Sequence, residues 1–180
     1  MIESILEELR LDCTVCRIDR GFKEGVDHGI IVSCNSGVVC IKKYDRDGLF
    51  DGIKMVRIDD IEHLRFNGNG LNARGRFIAN NGINLEPIKV SVGGFDEFME
   101  SANRQYGYVC VNDDRAGSCY IGPLISHDDN WIHMVNYGSP DRRDRSNVLV
   151  AKEEIQSLSV DEIYHRNLLS LYVDGETGDG

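Results

Sequence analysis

The sequence predicts a mainly β protein with short helices, built from two tandem copies of one unit. Each unit is a helix followed by five short strands that fold as a small barrel. Three observations lead to this prediction. Apolar residues at helical spacing begin each half, alternating apolar runs with Gly-, Asn- and Asp-rich turns follow, and the apolar positions repeat after 93 or 94 residues.

The two predicted helices have the same pattern. Their apolar residues fall at i, i+3, i+4 and i+7, which places them on one helix face. These residues are Ile2, Ile5, Leu6 and Leu9 in the first copy, and Phe95, Phe98, Met99 and Ala102 in the second. Each apolar stripe is expected to cover one end of its barrel.

Five strands are predicted after each helix, joined by turns whose Asn, Asp and Gly residues tolerate positive φ angles. In the first copy the predicted strands cover 13–18, 29–34, 38–44, 53–58 and 62–66. In the second copy they cover 108–112, 121–126, 131–137, 148–152 and 156–159. This alignment matches Cys16 with Cys110 as equivalent core positions.

The predicted organisation has four parts. The first helix-barrel copy spans 1–66, and the second spans 94–173 with a C-terminal helix over 161–172. Between them, 67–93 is a Gly-rich linker in which strand-like stretches at 76–79 and 83–92 allow a hairpin. The polar segment 174–180 is predicted to be disordered.

The composition limits the classes of partner. The chain has 180 residues, 41% hydrophobic and 28% charged, which fits a globular protein. A net charge of -10 disfavours RNA and anionic lipid surfaces, because both repel carboxylates. Without a targeting signal or an apolar run of about 20 residues, a cytoplasmic protein outside the membrane is expected. The six cysteines lie mostly in apolar runs, as in a reducing compartment.

A helix followed by five strands resembles the Sm and Sm-like fold over about 65 residues of each copy. Gly29 and Ile31 fit the first Sm motif, with Asn35 at the place of its Asp, and Gly122, Leu124 and Asp128 fit it in the second copy, while Val39 and Ile132 replace its later Asn. Arg57 keeps the arginine of the second motif, Ile58 replaces its glycine, and the second copy loses both. The RNA-contacting residues of the family are therefore mostly absent. Another SH3-like small barrel would give nearly the same apolar pattern.

Three functions remain open. The leading hypothesis is a non-enzymatic interaction or assembly module with a protein partner or a homo-oligomeric state, because small barrels expose strand edges that can pair. The second is an RNA-binding Sm-like protein. Its candidate contacts are Arg57, Arg74, Arg76, Arg142 and Arg143. The third is a metal-assisted enzyme using His127 and His133.

Residue patterns typical of catalysis are missing from the sequence. Cys13 and Cys16 form a CxxC without the second pair of ligands that a structural zinc site needs. The acidic loop at 45–52 has its glycines at the wrong places for an EF-hand. No coupled Ser, His and Asp spacing and no phosphate-binding glycine loop occurs. The sequence thus predicts no catalytic residues, no cofactor and no metal site.

Overall fold

The computed structural model describes residues 1–21, 25–35, 37–82, 87–113, 117–139 and 144–173. In this part of the chain the helices are α1 (Ile2–Leu11), α2 (Asn69–Asn80), α3 (Phe95–Tyr106) and α4 (Ile163–Val173). The first five strands are β1 (Val15–Asp19), β2 (Val26–Asn35), β3 (Val38–Tyr44), β4 (Phe50–Arg57) and β5 (His63–Arg65). The others are β6 (Val109–Asp113), β7 (Ser118–Gly122), β8 (Leu124–His127), β9 (Trp131–Tyr137), β10 (Arg145–Ala151) and β11 (Ser157–Val160).

The strands form two antiparallel sheets, which confirms the prediction of a mainly β fold with short helices. The larger sheet has eight strands in the order β5-β1-β2-β3-β4-β11-β6-β7, and the smaller has the order β10-β9-β8. Neither sheet closes into a barrel through the hydrogen bonds of the described residues. The second half of the chain therefore contributes to both sheets, whereas the first half lies in the larger one.

Strand pairing has the same register in the two halves. Val39 on β3 pairs with Val56 on β4, and Ile132 on β9 pairs with Val150 on β10. A three-residue 3-10 turn then leads to the last strand of each half, at Ile58–Asp60 and at Lys152–Glu154. These positions, which repeat after 93 or 94 residues, thus occupy corresponding places in the ladders.

The ladder between the second and third predicted strands has a register shift at the same place in both halves. The register shifts between Ile31 and Ser33 where β2 pairs with β3, and between Leu124 and Ser126 where β8 pairs with β9. A bulge adds one residue to one strand and bends it. Both halves therefore bend the corresponding strand at the same position.

The long second strand is continuous only in the first half. In the second half, where 121–126 was predicted as one strand, the chain divides into β7 and β8 at Pro123. Proline has no backbone N–H to donate to a ladder. Gly122 before it has a φ of 158°, and a Cβ there would overlap the carbonyl oxygen of Val135. This break lets the second half pass from the larger to the smaller sheet.

Cys16 and Cys110 are not equivalent, so this part of the sequence alignment was wrong. Cys16 pairs with Gly29, whose counterpart in the second half is Gly122. Gly122 pairs with Val109, so Val109 and not Cys110 is equivalent to Cys16. Cys16 lies in the core beneath α1, whereas Cys110 lies in the cluster beneath α4. A register error of one residue sends every side chain to the opposite face of a strand.

The linker contains a helix where the glycines favoured a hairpin. Residues 76–79, predicted as a strand, belong to α2, and 83–86 of the second predicted strand lie outside the described residues. Leu71 and Ile78 lie seven residues apart on the helix and pack with Val15, Ile30 and Tyr44. The prediction failed because tertiary packing outweighed the low helix propensity of glycine.

The largest apolar core lies between the two halves of the chain. Phe98 and Met99 of α3 pack there with Met55 of β4, Ile132 of β9 and Leu158 of β11. A second core lies beneath α1, and α4 covers a third cluster. Among the described residues, no helix combines the length and the apolar character needed to cross a membrane. The tail predicted at 174–180 lies outside the described residues.

Candidate functional site

The two halves of the chain join through one pair of strands. The fourth strand of the first half, β4, pairs antiparallel with the fifth strand of the second half, β11. The facing residues are Ile53 and Val160, Lys54 and Ser159, Met55 and Leu158, and Val56 and Ser157. Met55 and Leu158 are both 0% exposed. This β4–β11 junction therefore buries an edge strand of each half.

Arg57 binds across the junction. Its Nε donates a hydrogen bond to the carbonyl oxygen of Ile155, and its Nη2 donates to that of Lys152, both at 3.0 Å. The guanidinium also lies 4.7 Å from the ring centroid of Phe95. A guanidinium held by two acceptors and an aromatic face fixes the relative position of the two halves.

In the described part of the chain, the counterparts of β11 and β4 in the other halves, β5 and β10, each lack a partner strand on one side. Within the described ranges, β5 ends the larger sheet and β10 ends the smaller one. These edges carry exposed apolar residues: Leu149 on β10 is 64% exposed, and Phe66 just after β5 is 39% exposed. Unpaired backbone groups beside apolar side chains can accept a further strand.

A buried ionic cluster lies close to the junction. The carboxylate of Asp27 is 3% exposed and lies 3.1 Å from Arg20 Nη2, 3.3 Å from Lys54 Nζ and 3.7 Å from Lys43 Nζ. Lys43 Nζ also lies 2.9 Å from Glu162 Oε1, which connects the cluster to the start of α4. Burial alone would raise the pKa of Asp27, but the three cations together hold it below its ordinary value.

The five arginines predicted to contact RNA do not form one surface. Arg57 is engaged at the junction, Arg74 lines a cavity beside α2, and Arg76 is exposed on α2. Arg142 and Arg143 lie outside the described residues. Arg57 and Arg74 line two separate cavities, and Arg57 shares its cavity with Asp96, Glu97 and Asp129, so the cavity of Arg74 is the one with no acidic residue in its described lining.

The two histidines of the metal hypothesis have other neighbours. His127 Nε2 lies 2.9 Å from Glu100 Oε1 and its Nδ1 lies 3.2 Å from Lys152 Nζ, while His133 Nε2 lies 3.1 Å from Asn147 Oδ1. In the described part of the chain, no three His, Cys, Asp or Glu side chains come together as metal ligands. Within the described residues, His127 and His133 therefore do not lie in one group of three candidate metal ligands.

Sequence reasoning missed two groups of residues. The first is the buried cluster around Asp27, whose charges were visible as ionisable residues inside otherwise apolar strands. The second is a set of basic side chains, Arg17, His28 and Arg65, that line the same cavity as Arg74. Their alternation with apolar residues places them on one sheet face, but only the strand order brings them together.

Comparison with protein-family models, curated proteins and solved structures gives no match to this chain.

Proposed function

We propose that the chain is a non-enzymatic assembly module, in which two Sm-like or SH3-like barrel units lie side by side. The matching registers, the repeated bulge and the 3-10 turn at the same place in both halves support a duplicated unit. The unpaired edges support its role: copies of the chain join end to end by pairing β10 of one with β5 of the next.

The β4–β11 junction is the observation that carries this proposal. It joins the fourth strand of one unit to the fifth strand of the other, so the two units contribute different surfaces to the contact. Within one chain this leaves the other fifth strand, β5, and the other fourth strand, β10, without a partner strand among the described residues. A heterologous contact of this kind continues from copy to copy until it closes as a ring or extends as a filament.

The internal register specifies the register expected between copies. Leu149 stands 94 residues after Met55, and Leu64 stands 94 residues before Leu158. Because Met55 faces Leu158 inside the chain, Leu149 is expected to face Leu64 of the next copy. Pairing would bury Leu149, which is 64% exposed in the single chain, as Met55 is buried at the internal junction.

Charge does not oppose this pairing. In the same register, Asn147, Val148 and Val150 of β10 face Phe66, Arg65 and His63 of the next copy. Residues 147–150 of β10 are uncharged, so no like charges lie directly opposite one another in this stretch. The two edges are therefore compatible in charge.

Analytical ultracentrifugation over a range of protein concentrations tests the proposal. The wild-type chain should form oligomers whose mass grows with concentration, and Leu149→Lys should shift the protein to the monomer because a buried ammonium opposes pairing. Leu11→Lys is the matched control, since Leu11 is 67% exposed and belongs to α1 rather than to either edge strand. A wild-type protein that remains monomeric at every concentration contradicts the proposal. Equal dissociation in both variants contradicts the assigned edge.

A further inference from the structure

A cavity of about 600 Å³ lies between α2 and one face of the strands β5, β1 and β2. Its volume is within the range of about 300–1,000 Å³ typical of small-molecule sites. The described residues that line it are Arg17, His28, Leu64, Arg65, Phe66, Gly68, Gly70, Leu71 and Arg74. Three of them are arginines and none is acidic, in a chain whose net charge is -10.

Strand pairing places three basic side chains in one row across the floor of the cavity. Arg17 on β1 faces Arg65 on β5 on one side and His28 on β2 on the other. Like charges directly opposite each other in an antiparallel pair are destabilising. An anion bound over this row would relieve the repulsion between the two arginines.

One carboxylate offsets part of this charge. Asp19 Oδ2 accepts a hydrogen bond from Arg17 Nη2 at 3.1 Å. The Nε of Arg17 is buried and has no hydrogen-bond partner in the described structure, and Arg65 forms no ion pair there. The row therefore keeps unused donors and a net positive charge.

Helix α2 adds a second source of positive potential. Arg74 also lines the cavity, and its Nη1 donates to a neutral acceptor, the carbonyl oxygen of Asp45, at 2.7 Å. The helix begins after Gly68 without a side-chain cap and without an acidic residue in its first turn. Gly68 and Gly70 at this end line the cavity, and beyond the adjacent backbone no atom lies within 4 Å of the Cβ that either position would carry.

The imidazole of His28 is sensitive to this potential. Burial lowers its pKa, and the nearby charges of Arg74 and Arg17 lower it further, against an opposing effect of Asp27. The cations of the cavity therefore outweigh the nearest carboxylate at His28. This direction agrees with a net positive potential in the cavity of the chain without ligand.

We propose that this cavity binds the phosphate monoester group of a nucleoside monophosphate, free or at the 5′ end of an RNA strand. Arg17, Arg65 and Arg74 contact the phosphate, because guanidinium groups bind a dianion through paired hydrogen bonds. The base packs against Phe66 and Leu71, which belong to the apolar part of the lining.

Isothermal titration calorimetry of the full chain with adenosine monophosphate (AMP), adenosine and inorganic phosphate tests this site. AMP should bind, and both fragments should bind more weakly because each lacks one half of the ligand. Arg65→Gln should weaken AMP binding about tenfold or more, the effect of losing one charged hydrogen bond. Arg76→Gln is the matched control, because Arg76 is an exposed arginine on α2 that does not line the cavity, and it should bind AMP as the wild type does. Arg65 forms no ion pair among the described residues, so its substitution should not prevent folding.

Hexa-adenylate with and without a 5′ phosphate then distinguishes the source of the ligand. Tighter binding of the phosphorylated strand than of AMP identifies an RNA end, and weaker binding identifies a free nucleotide. No heat with AMP, equal binding of adenosine and AMP, or unchanged binding in Arg65→Gln would overturn the proposal. Leu149→Lys should bind AMP normally, which separates this site from the proposed assembly.

Discussion

Removing the charge of Asp27 should destabilise the protein strongly. In Asp27→Asn the side chain keeps its shape, but Arg20, Lys54 and Lys43 lose the carboxylate that lies within 3.1 to 3.7 Å of their nitrogen atoms. Removing one partner of a buried ion pair costs about 3–5 kcal/mol, because the opposite charge stays buried without compensation. Since the amide oxygen still accepts one hydrogen bond, we expect a loss of about 3 kcal/mol in the free energy of unfolding.

Urea unfolding followed by far-ultraviolet circular dichroism measures this loss at a fixed protein concentration. Glu7→Gln is the matched control, since it removes a carboxylate from the exposed pair of Glu7 and Arg10 and should leave the midpoint almost unchanged. Adding Lys54→Met to Asp27→Asn should recover part of the stability, because it removes one of the uncompensated cations. Similar small shifts in Asp27→Asn and Glu7→Gln would refute the reasoning.

The effect of Asp27 should also depend on pH. The pKa of its carboxyl is lower in the folded chain than in the unfolded one, so ionised Asp27 stabilises the fold above the unfolded value of about 3.9. This stabilisation is lost as the pH falls through the lower folded pKa. The difference in stability between wild type and Asp27→Asn should therefore be constant near neutral pH and should decrease below about pH 4. A difference that grows in acid would contradict this sign.

Three further results are expected. Arg57→Ala should lower the free energy of unfolding by about 2 kcal/mol in urea titrations, because it removes two charged hydrogen bonds at the β4–β11 junction, whereas Arg76→Ala should have little effect. In thiol titration with Ellman's reagent near pH 8, exposed Cys13 should react and Cys16 should not, since burial raises the pKa of Cys16 to about 12; reaction of both in the folded protein would contradict this. Ala151→Arg should tighten assembly about tenfold in ultracentrifugation, because Ala151 stands 94 residues after Arg57; unchanged association would argue against an equivalent junction between copies.

Local patterns in the sequence were sufficient to place most elements. The i, i+3, i+4, i+7 stripe that includes Leu6 and Leu9 corresponds to α1, and the apolar run at 38–44 corresponds to β3. Such patterns report which face of an element is buried. They do not report which strand edge meets which, so the β4–β11 junction and the division into two sheets were not predicted.

The candidate sites were also difficult to predict from the sequence, because their residues come together only through long-range contacts. Arg74 was selected because it lies in a locally basic segment, whereas Arg17 and Arg65 were missed because almost 50 residues separate them in sequence. They meet through the pairing of β1 with β5 and through the packing of α2, whose glycines concealed a helix. The charge of Asp27 was likewise visible, but the three cations that surround it come from other strands or loops.

The core shared between the halves has a consequence for how the chain unfolds. Met55 and Cys40 of the first half are completely buried against side chains that the second half supplies. Cutting the chain between the units would expose this apolar surface on both fragments. We therefore expect neither fragment to reach the stability of the whole chain, and we expect thermal melting to proceed in one cooperative step.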